Sequence, residues 1–222
     1  LYFTNSGTGQ IISKEVRLTI DSSSSIAFFA LDTNPGWTTD GQWGFGVPQG
    51  VASVYGGADP AAGHTGSNVY GYNLAGDYPN NLTKQYLTTT AIDCSAYAGV
   101  TLGFSRWLGV ESATWDHASI EVSNDGTNWS LVWDHTGGTL IDTVWTQQTF
   151  DISAVADGAG TVYVRWVMGQ TDGSVTHSGW NIDDIEFRGV PVALAEAWVD
   201  FSFAGVETGS QPILSIHCRR VW

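Results

Sequence analysis

The stretch Gly179-Trp180-Asn181-Ile182-Asp183-Asp184-Ile185-Glu186-Phe187 decides how this chain folds. Its apolar residues fall on one parity up to Ile182 and on the other from Ile185 onward. Successive side chains of a strand point to opposite faces, so an unbroken alternation cannot bury both halves on one face. Either a bulge sits at the Asp pair, or one Asp points inward and must be compensated, because a buried unpaired carboxylate is prohibitively costly. In the first case both Asp residues are solvated or hydrogen-bonded. In the second, calcium is the natural compensation in an acidic protein, since it takes several oxygen ligands at flexible geometry.

Outward from this strand the chain reads as β throughout. Alternating β-branched and aromatic runs recur between Gly, Asn and Asp punctuation, and almost nothing keeps a helical period. Strands are predicted near Ile12 to Ile20, Ser25 to Leu31, Val51 to Tyr55, Val69 to Leu74, Gln85 to Ile92, Val100 to Val110, Ala118 to Ser123 and Trp129 to His135. Trp145 to Ile152, Thr161 to Met168 and the opening stretch complete the set. Ile120 to Ser123 and Trp129 to Trp133 form a hairpin across Asn124-Asp125-Gly126, where Asp-Gly supplies the positive φ of the turn. Many short strands without crossover helices predict an all-β, two-sheet antiparallel β-sandwich or jelly roll.

Composition narrows the partners. The 222 residues suit one large sandwich with appendages. Lys and Arg number 8 against 22 Asp and Glu, a net charge of -14, which repels nucleic acid and anionic membranes and leaves cations and neutral ligands. No apolar run approaches the ~18 residues that span a bilayer, and any export signal is expected upstream. The 2 cysteines, Cys94 and Cys218, make no disulfide framework, and Cys94 reads as a small buried residue. Few Lys and many Gly, Thr, Ser, Asn and Trp point to a secreted or cell-surface protein.

Several stretches together resemble MAM-like, concanavalin-like jelly-roll domains, including those attached to bacterial secreted peptidases of the immune inhibitor A type. The closing Gly179-Trp180-Asn181-Ile182-Asp183-Asp184-Ile185 is similar to that family's terminal strand. Phe28 to Asp32 followed by Pro35-Gly36-Trp37 resembles its opening strand. Tyr86-Leu87 and Ile92-Asp93-Cys94-Ser95, leading into Leu102-Gly103-Phe104, resemble its middle strands, and Asp116 to Gly126 its hairpin. The resemblance covers roughly Ser25 to Arg188 and places the domain at 25–190, after a lead-in over 1–24. It implies a structural calcium ion, with Asp183 or Asp184 and Asp32 as ligands and Asp59 and Asp116 as weaker ones. Asp32 departs from the family, which often has Glu one or two positions earlier.

For a ligand surface, Trp107, Trp115, Trp180, Tyr70, Tyr72 and Tyr78 lie beside polar or loop residues, and aromatic faces between polar side chains suit sugars. A polysaccharide or glycan is therefore the expected partner, with a cell-surface protein the neighbouring possibility, and the chain is expected to be a monomer. The alternative is a jelly-roll glycoside hydrolase using paired carboxylates from Glu111, Asp116 and Glu121, or from Asp134 and Glu186. Alternation turns Glu121 away from Ile120 and Val122 into solvent. His64, His117, His135 and His177 stand in no hydrolase motif. The expected function is a non-catalytic, calcium-stabilised carbohydrate-binding or adhesion module.

Residues 191–222 read as a separate, truncated segment. Ala197 to Gly205 with Glu207-Thr208-Gly209 resembles the opening of right-handed parallel β-helix domains of large bacterial exoproteins. Gln211 to Arg220 breaks that pattern, and one permitted codon string for it, read in another frame, continues the β-helix opening. The chain after Gly209 is therefore expected to be out of frame, and Cys94 and Cys218 are not expected to pair.

Overall fold

A computed structural model describes residues 23–192, together with the backbone of four short strands: β1 (Tyr2–Thr4), β2 (Ile11–Ser13), β15 (Trp198–Phe203) and β16 (Leu214–Arg219). β1 pairs with β2 and β15 with β16, both antiparallel. The predicted strand beyond Ser13 and the expected change of frame after Gly209 fall outside the described residues.

The described body runs β3 (Ser24–Phe29), β4 (Thr38–Thr39), β5 (Trp43–Gly46), β6 (Val69–Tyr72), β7 (Gln85–Thr88), β8 (Tyr97–Val110) and β9 (Ala118–Ser123). It continues through β10 (Ser130–Asp134), β11 (Leu140–Ile141), β12 (Thr146–Asp151), the single turn α1 (Ser153–Ala156), β13 (Tyr163–Met168) and β14 (Gly179–Pro191). These strands make two antiparallel sheets. The smaller has the order β10-β9-β13-β7-β4, and the larger β11-β8-β14-β6-β5, with β12 also on β8 and β3 also on β14. This is the predicted jelly-roll sandwich. Among the described residues no helix is long and apolar enough to cross a membrane.

Alternation fills the space between the sheets. Leu102, Phe104, Trp180, Ile182 and Phe187 from the larger sheet meet Leu87, Ile120, Val122, Val164 and Trp166 from the smaller, all but fully buried. Phe104 stands edge-on to Trp166 at 5.4 Å, a favoured arrangement for aromatic pairs. The Trp180 indole N–H donates across the core to Val167 O at 3.0 Å.

The parity break in β14 is a bulge. Asp183 pairs with Ser105 and Glu186 with Gly103, so three steps along β14 match two along β8, and Asp184 takes φ 49°. The extra residue returns Ile185 to the core face beside Ile182, both fully buried. The bulge is thus the alternative realised; Asp183 is also fully buried, but on the face away from the core.

What buries it is a strap over residues 47–68, between β5 and β6, lying across the outer face of the larger sheet. Trp107 Nε1–H donates to Ala58 O at 2.8 Å, Asn181 Nδ2–H to Asp59 Oδ1 at 2.8 Å, and Thr65 N–H to Asp183 Oδ2 at 3.0 Å. The predicted strand Val51 to Tyr55 belongs to this strap and makes only an isolated bridge between Ala52 and Ala58. Gly50, Gly56 and Gly57, all at positive φ, bend the chain on either side of it, which a continuing strand does not allow. The predicted strand to Ile92 likewise ends at Thr88, with Ile92 making a lone bridge to Val162.

Candidate functional site

Two polar sites stand out, one under the strap and one at the end of β8. Under the strap, the loop 63–68 turns back on itself through Gly63 N–H to Ser67 O at 3.3 Å. A Cβ added at Gly63 would sit against Thr65 O and 2.8 Å from both Asn68 O and Asp183 Oδ2. Two carbonyl oxygens and one carboxylate oxygen thus converge where glycine leaves room. Asp32 adjoins the same loop: its carbonyl accepts from Asn68 Nδ2 at 3.1 Å, and its Oδ1 lies 2.5 Å from where a Cβ on Gly66 would stand.

Burial pushes the Asp183 carboxyl up to about 6, although it accepts N–H bonds from Thr65 and Asp184. A desolvated carboxylate facing two carbonyls lacks a positive charge, and a hard cation with oxygen ligands is the chemistry that fits. The sequence candidates divide accordingly. Asp183 contributes an oxygen to this cradle, and Asp32 adjoins its loop at Gly66 and Asn68. Asp184 is beside it but turned to the surface, where Oδ2 contacts His64 Nδ1 at 2.6 Å and Oδ1 accepts from Thr65 Oγ1 at 2.6 Å. Asp59, buried against Asn181, and Asp116 lie apart from it.

At the end of β8, Glu111, Asp116 and Asp172 each bring an oxygen within 4.8 Å of the others. Asp116 is fully buried. Its Oδ2 accepts from the Tyr78 hydroxyl at 2.6 Å and its Oδ1 from the Asp172 N–H at 2.9 Å. Glu111 Oε2 is buried without a partner, and burial, with Asp116 and Asp172 close by, raises its carboxyl above the ordinary range. This acidic cluster has the donor set of a cation site as well.

Beside the cluster opens a cleft of about 410 Å³ lined by Asn81, Trp115, His117, Gln170, Thr171 and Asp172. Its walls are braced by His117 N–H to Gln170 O and Gly169 N–H to His117 O, both 2.9 Å, and by Leu82 N–H to Thr171 Oγ1 at 2.9 Å. Trp115 stands at the rim, 53% exposed. A flat apolar ring over amide, imidazole and carboxylate groups offers both the stacking face and the hydroxyl partners that a sugar needs.

The other predicted ligand-binding rings are not displayed. Tyr70, Tyr72, Tyr78 and Trp180 are at most 1% exposed. Tyr70 stacks on Trp37 at 5.2 Å, Tyr72 meets Trp43 edge-on at 5.7 Å, and Trp180 packs between the sheets. Their polar sequence neighbours alternate with them or lie in the covering strap, so a polar setting in sequence does not mean exposure. Trp107 is half-buried and tied by its indole N–H to the strap. The alternative catalytic trio is also split. Glu121 lies on the outer face of the smaller sheet, accepting from Arg165 Nε at 2.6 Å, and Asp116 has both oxygens engaged and no exposed surface. Asp172 and Gln170 escape sequence reading because they reach the Trp115–His117 segment only through a loop distant in sequence, and His117 reads there only as standing in no hydrolase motif.

No family model matches the chain. Over 184 residues it is 28% identical to bacillopeptidase F of Bacillus subtilis (strain 168), an alignment that takes in 80% of this chain and 12% of that protein. The chain thus spans only a small part of the relative it matches. Among solved structures it is similar to the K1 cleaved adhesin domain of Lys-gingipain from Porphyromonas gingivalis W83, with TM-score 0.44, 21% identity and coverage of 74% of this chain and 95% of that one. It is also similar to the CBM22-1 xylan-binding domain of Paenibacillus barcinonensis Xyn10C, with TM-score 0.45, 10% identity and coverage of 78% and 99%.

Proposed function

We propose that residues 25–190 form a non-catalytic, calcium-stabilised glycan-binding module, MAM-like in kind, of an extracellular bacterial protein. The Trp115 cleft is its sugar-contacting surface and the cradle of Asp183, Thr65 O, Asn68 O and Asp32 its calcium site. One observation carries the glycan reading: an exposed Trp ring at the rim of a braced, polar cleft. Bound calcium supplies the positive charge that the cradle lacks, and Asp183 and the loop carbonyls then hold the strap to β14.

The non-catalytic reading is supported by the carboxylates themselves. A glycosidase needs an acid and a second carboxylate on either side of an accessible bond, whereas Asp116 is sealed behind Tyr78 and Glu121 faces another surface. The net charge of -14 favours neutral glycans over polyanions. A polysaccharide binding and hydrolysis array, run with calcium and with EDTA, tests the whole reading. Binding to neutral polysaccharides without release of reducing ends is expected. Turnover of any polysaccharide, or no binding to any, contradicts it.

A further inference from the structure

A larger recess, about 520 Å³, lies on the outer face of the larger sheet, away from the Trp115 cleft. Its floor is one cross-strand row. Thr149 of β12 pairs with Gly103 of β8, Gly103 with Glu186 of β14, and Glu186 with Phe28 of β3. Four strands side by side give a trough roughly 14 Å long. Gly103 keeps its middle low, because a Cβ there would meet nothing nearer than 3.7 Å. Phe28 ends the row, 57% exposed.

The charges in this recess are already answered within the protein. Arg188 Nη1 donates to Glu186 Oε1 at 3.0 Å and Nη2 to Ser23 O at 3.3 Å, while Asp184 is held by His64 and Thr65. Among the described residues lining the recess no cation is left to attract an anionic ligand, and Asp184 and Glu186 repel one. What remains is an exposed ring, a hydroxyl row and a neutralised ion pair, which suit the faces and hydroxyls of an extended neutral polysaccharide.

One residue links this recess to the cation cradle. The Thr65 side chain lines the recess and donates to Asp184 Oδ1, its N–H donates to Asp183 Oδ2, and its carbonyl faces the cradle. We propose that the recess is a second glycan site, for a neutral polysaccharide chain, that is competent only when the cradle holds its cation. The inference rests on the calcium site proposed above, and Thr65 is the positioning residue between the two. Loss of the cation frees the loop that forms one wall of the recess.

Affinity electrophoresis of the full chain in gels containing arabinoxylan, mixed-linkage β-glucan, galactomannan or polygalacturonate separates the two sites. The Trp115→Ala variant should still be retarded by at least one neutral polysaccharide, and EDTA should abolish that retardation, with calcium restoring it. Phe28→Ala should weaken the remaining binding about tenfold without shifting the melting temperature, since its ring is largely exposed. Three results overturn the proposal: a Trp115→Ala variant that binds nothing while Phe28→Ala binds normally, residual binding unaffected by EDTA, or preference for polygalacturonate. If the unaltered chain binds none of the polymers, the glycan reading itself falls with it.

Discussion

Asn181 donates its amide N–H to Asp59 Oδ1 at 2.8 Å, and the two oxygens left over, Asp59 Oδ2 and Asn181 Oδ1, are both buried without a partner. Two acceptors remain and nothing donates to them. Burial accordingly pushes the Asp59 carboxyl up from 3.8 to about 7, with Asp77 adding to the rise and the Asn181 bond opposing it. A proton on Asp59 makes the pair neutral and provides one donor where only acceptors stood.

Between those two values the folded chain binds more protons than the unfolded one. The stability contributed by this group is therefore fully present below about pH 4 and is lost as pH rises through about 7. Thermal melts in saturating calcium, which keeps Asp183 ionised, should show the melting temperature falling from about pH 5 to pH 8. In Asp59→Asn, which is neutral throughout, that fall should be flatter. Parallel profiles for the two proteins would mean that Asp59 is not the titrating group.

Asp183 gives the calcium prediction. A ligand that binds only the folded state at about a hundredfold above its Kd stabilises by about 2.7 kcal/mol, equivalent to a melting shift on the order of 5–10 °C for a chain of this size. EDTA should lower the melting temperature of the unaltered chain by that much. Asp183→Asn should melt lower and respond clearly less to EDTA. Equal EDTA responses in both would remove Asp183 from the site.

Trp115 and Trp180 separate binding from folding. Trp180 is fully buried between the sheets with its N–H bonded to Val167 O, so Trp180→Ala should cost about 3–5 kcal/mol in denaturant melts. Trp115→Ala should change stability by less than about 0.5 kcal/mol. A large loss of stability in Trp115→Ala would show that the ring is structural rather than displayed.

Glu111 reports on the acidic cluster. With Asp116 and Asp172 close to it and Oε2 unpartnered, Glu111→Gln should raise the melting temperature of calcium-free protein by relieving like-charge repulsion. A lower melting temperature there would contradict the view that the cluster is held together against repulsion.

Much of this was legible in the sequence, where side-chain alternation carries the information. The shift of parity between Ile182 and Ile185 marked the β14 bulge, and Asp125-Gly126 marked the turn between β9 and β10. Where glycine interrupts alternation, the signal fails in both directions. Val51 to Tyr55 alternates like a strand yet is bent into the strap between glycines at positive φ, whereas Trp43–Gly46 has too few side chains to read as the strand that it is. The polar or glycine neighbours of Tyr70 and Tyr72 suggest display, but β6 lies between β5 and β14, and both rings, Tyr70 opposite the core residue Ile182, turn into the core. The cradle and the cleft were the least legible. Thr65 reaches Asp183 across 118 positions and Asp172 reaches Asp116 across 56, and local pattern carries no trace of such pairings.

The most direct test of the glycan-binding account is affinity electrophoresis of the unaltered chain beside Trp115→Ala in the same neutral polysaccharide gel, with calcium present. The account predicts retardation of the unaltered chain and clearly weaker retardation of Trp115→Ala at unchanged melting temperature. Equal retardation of the two proteins on every polymer that binds would contradict it.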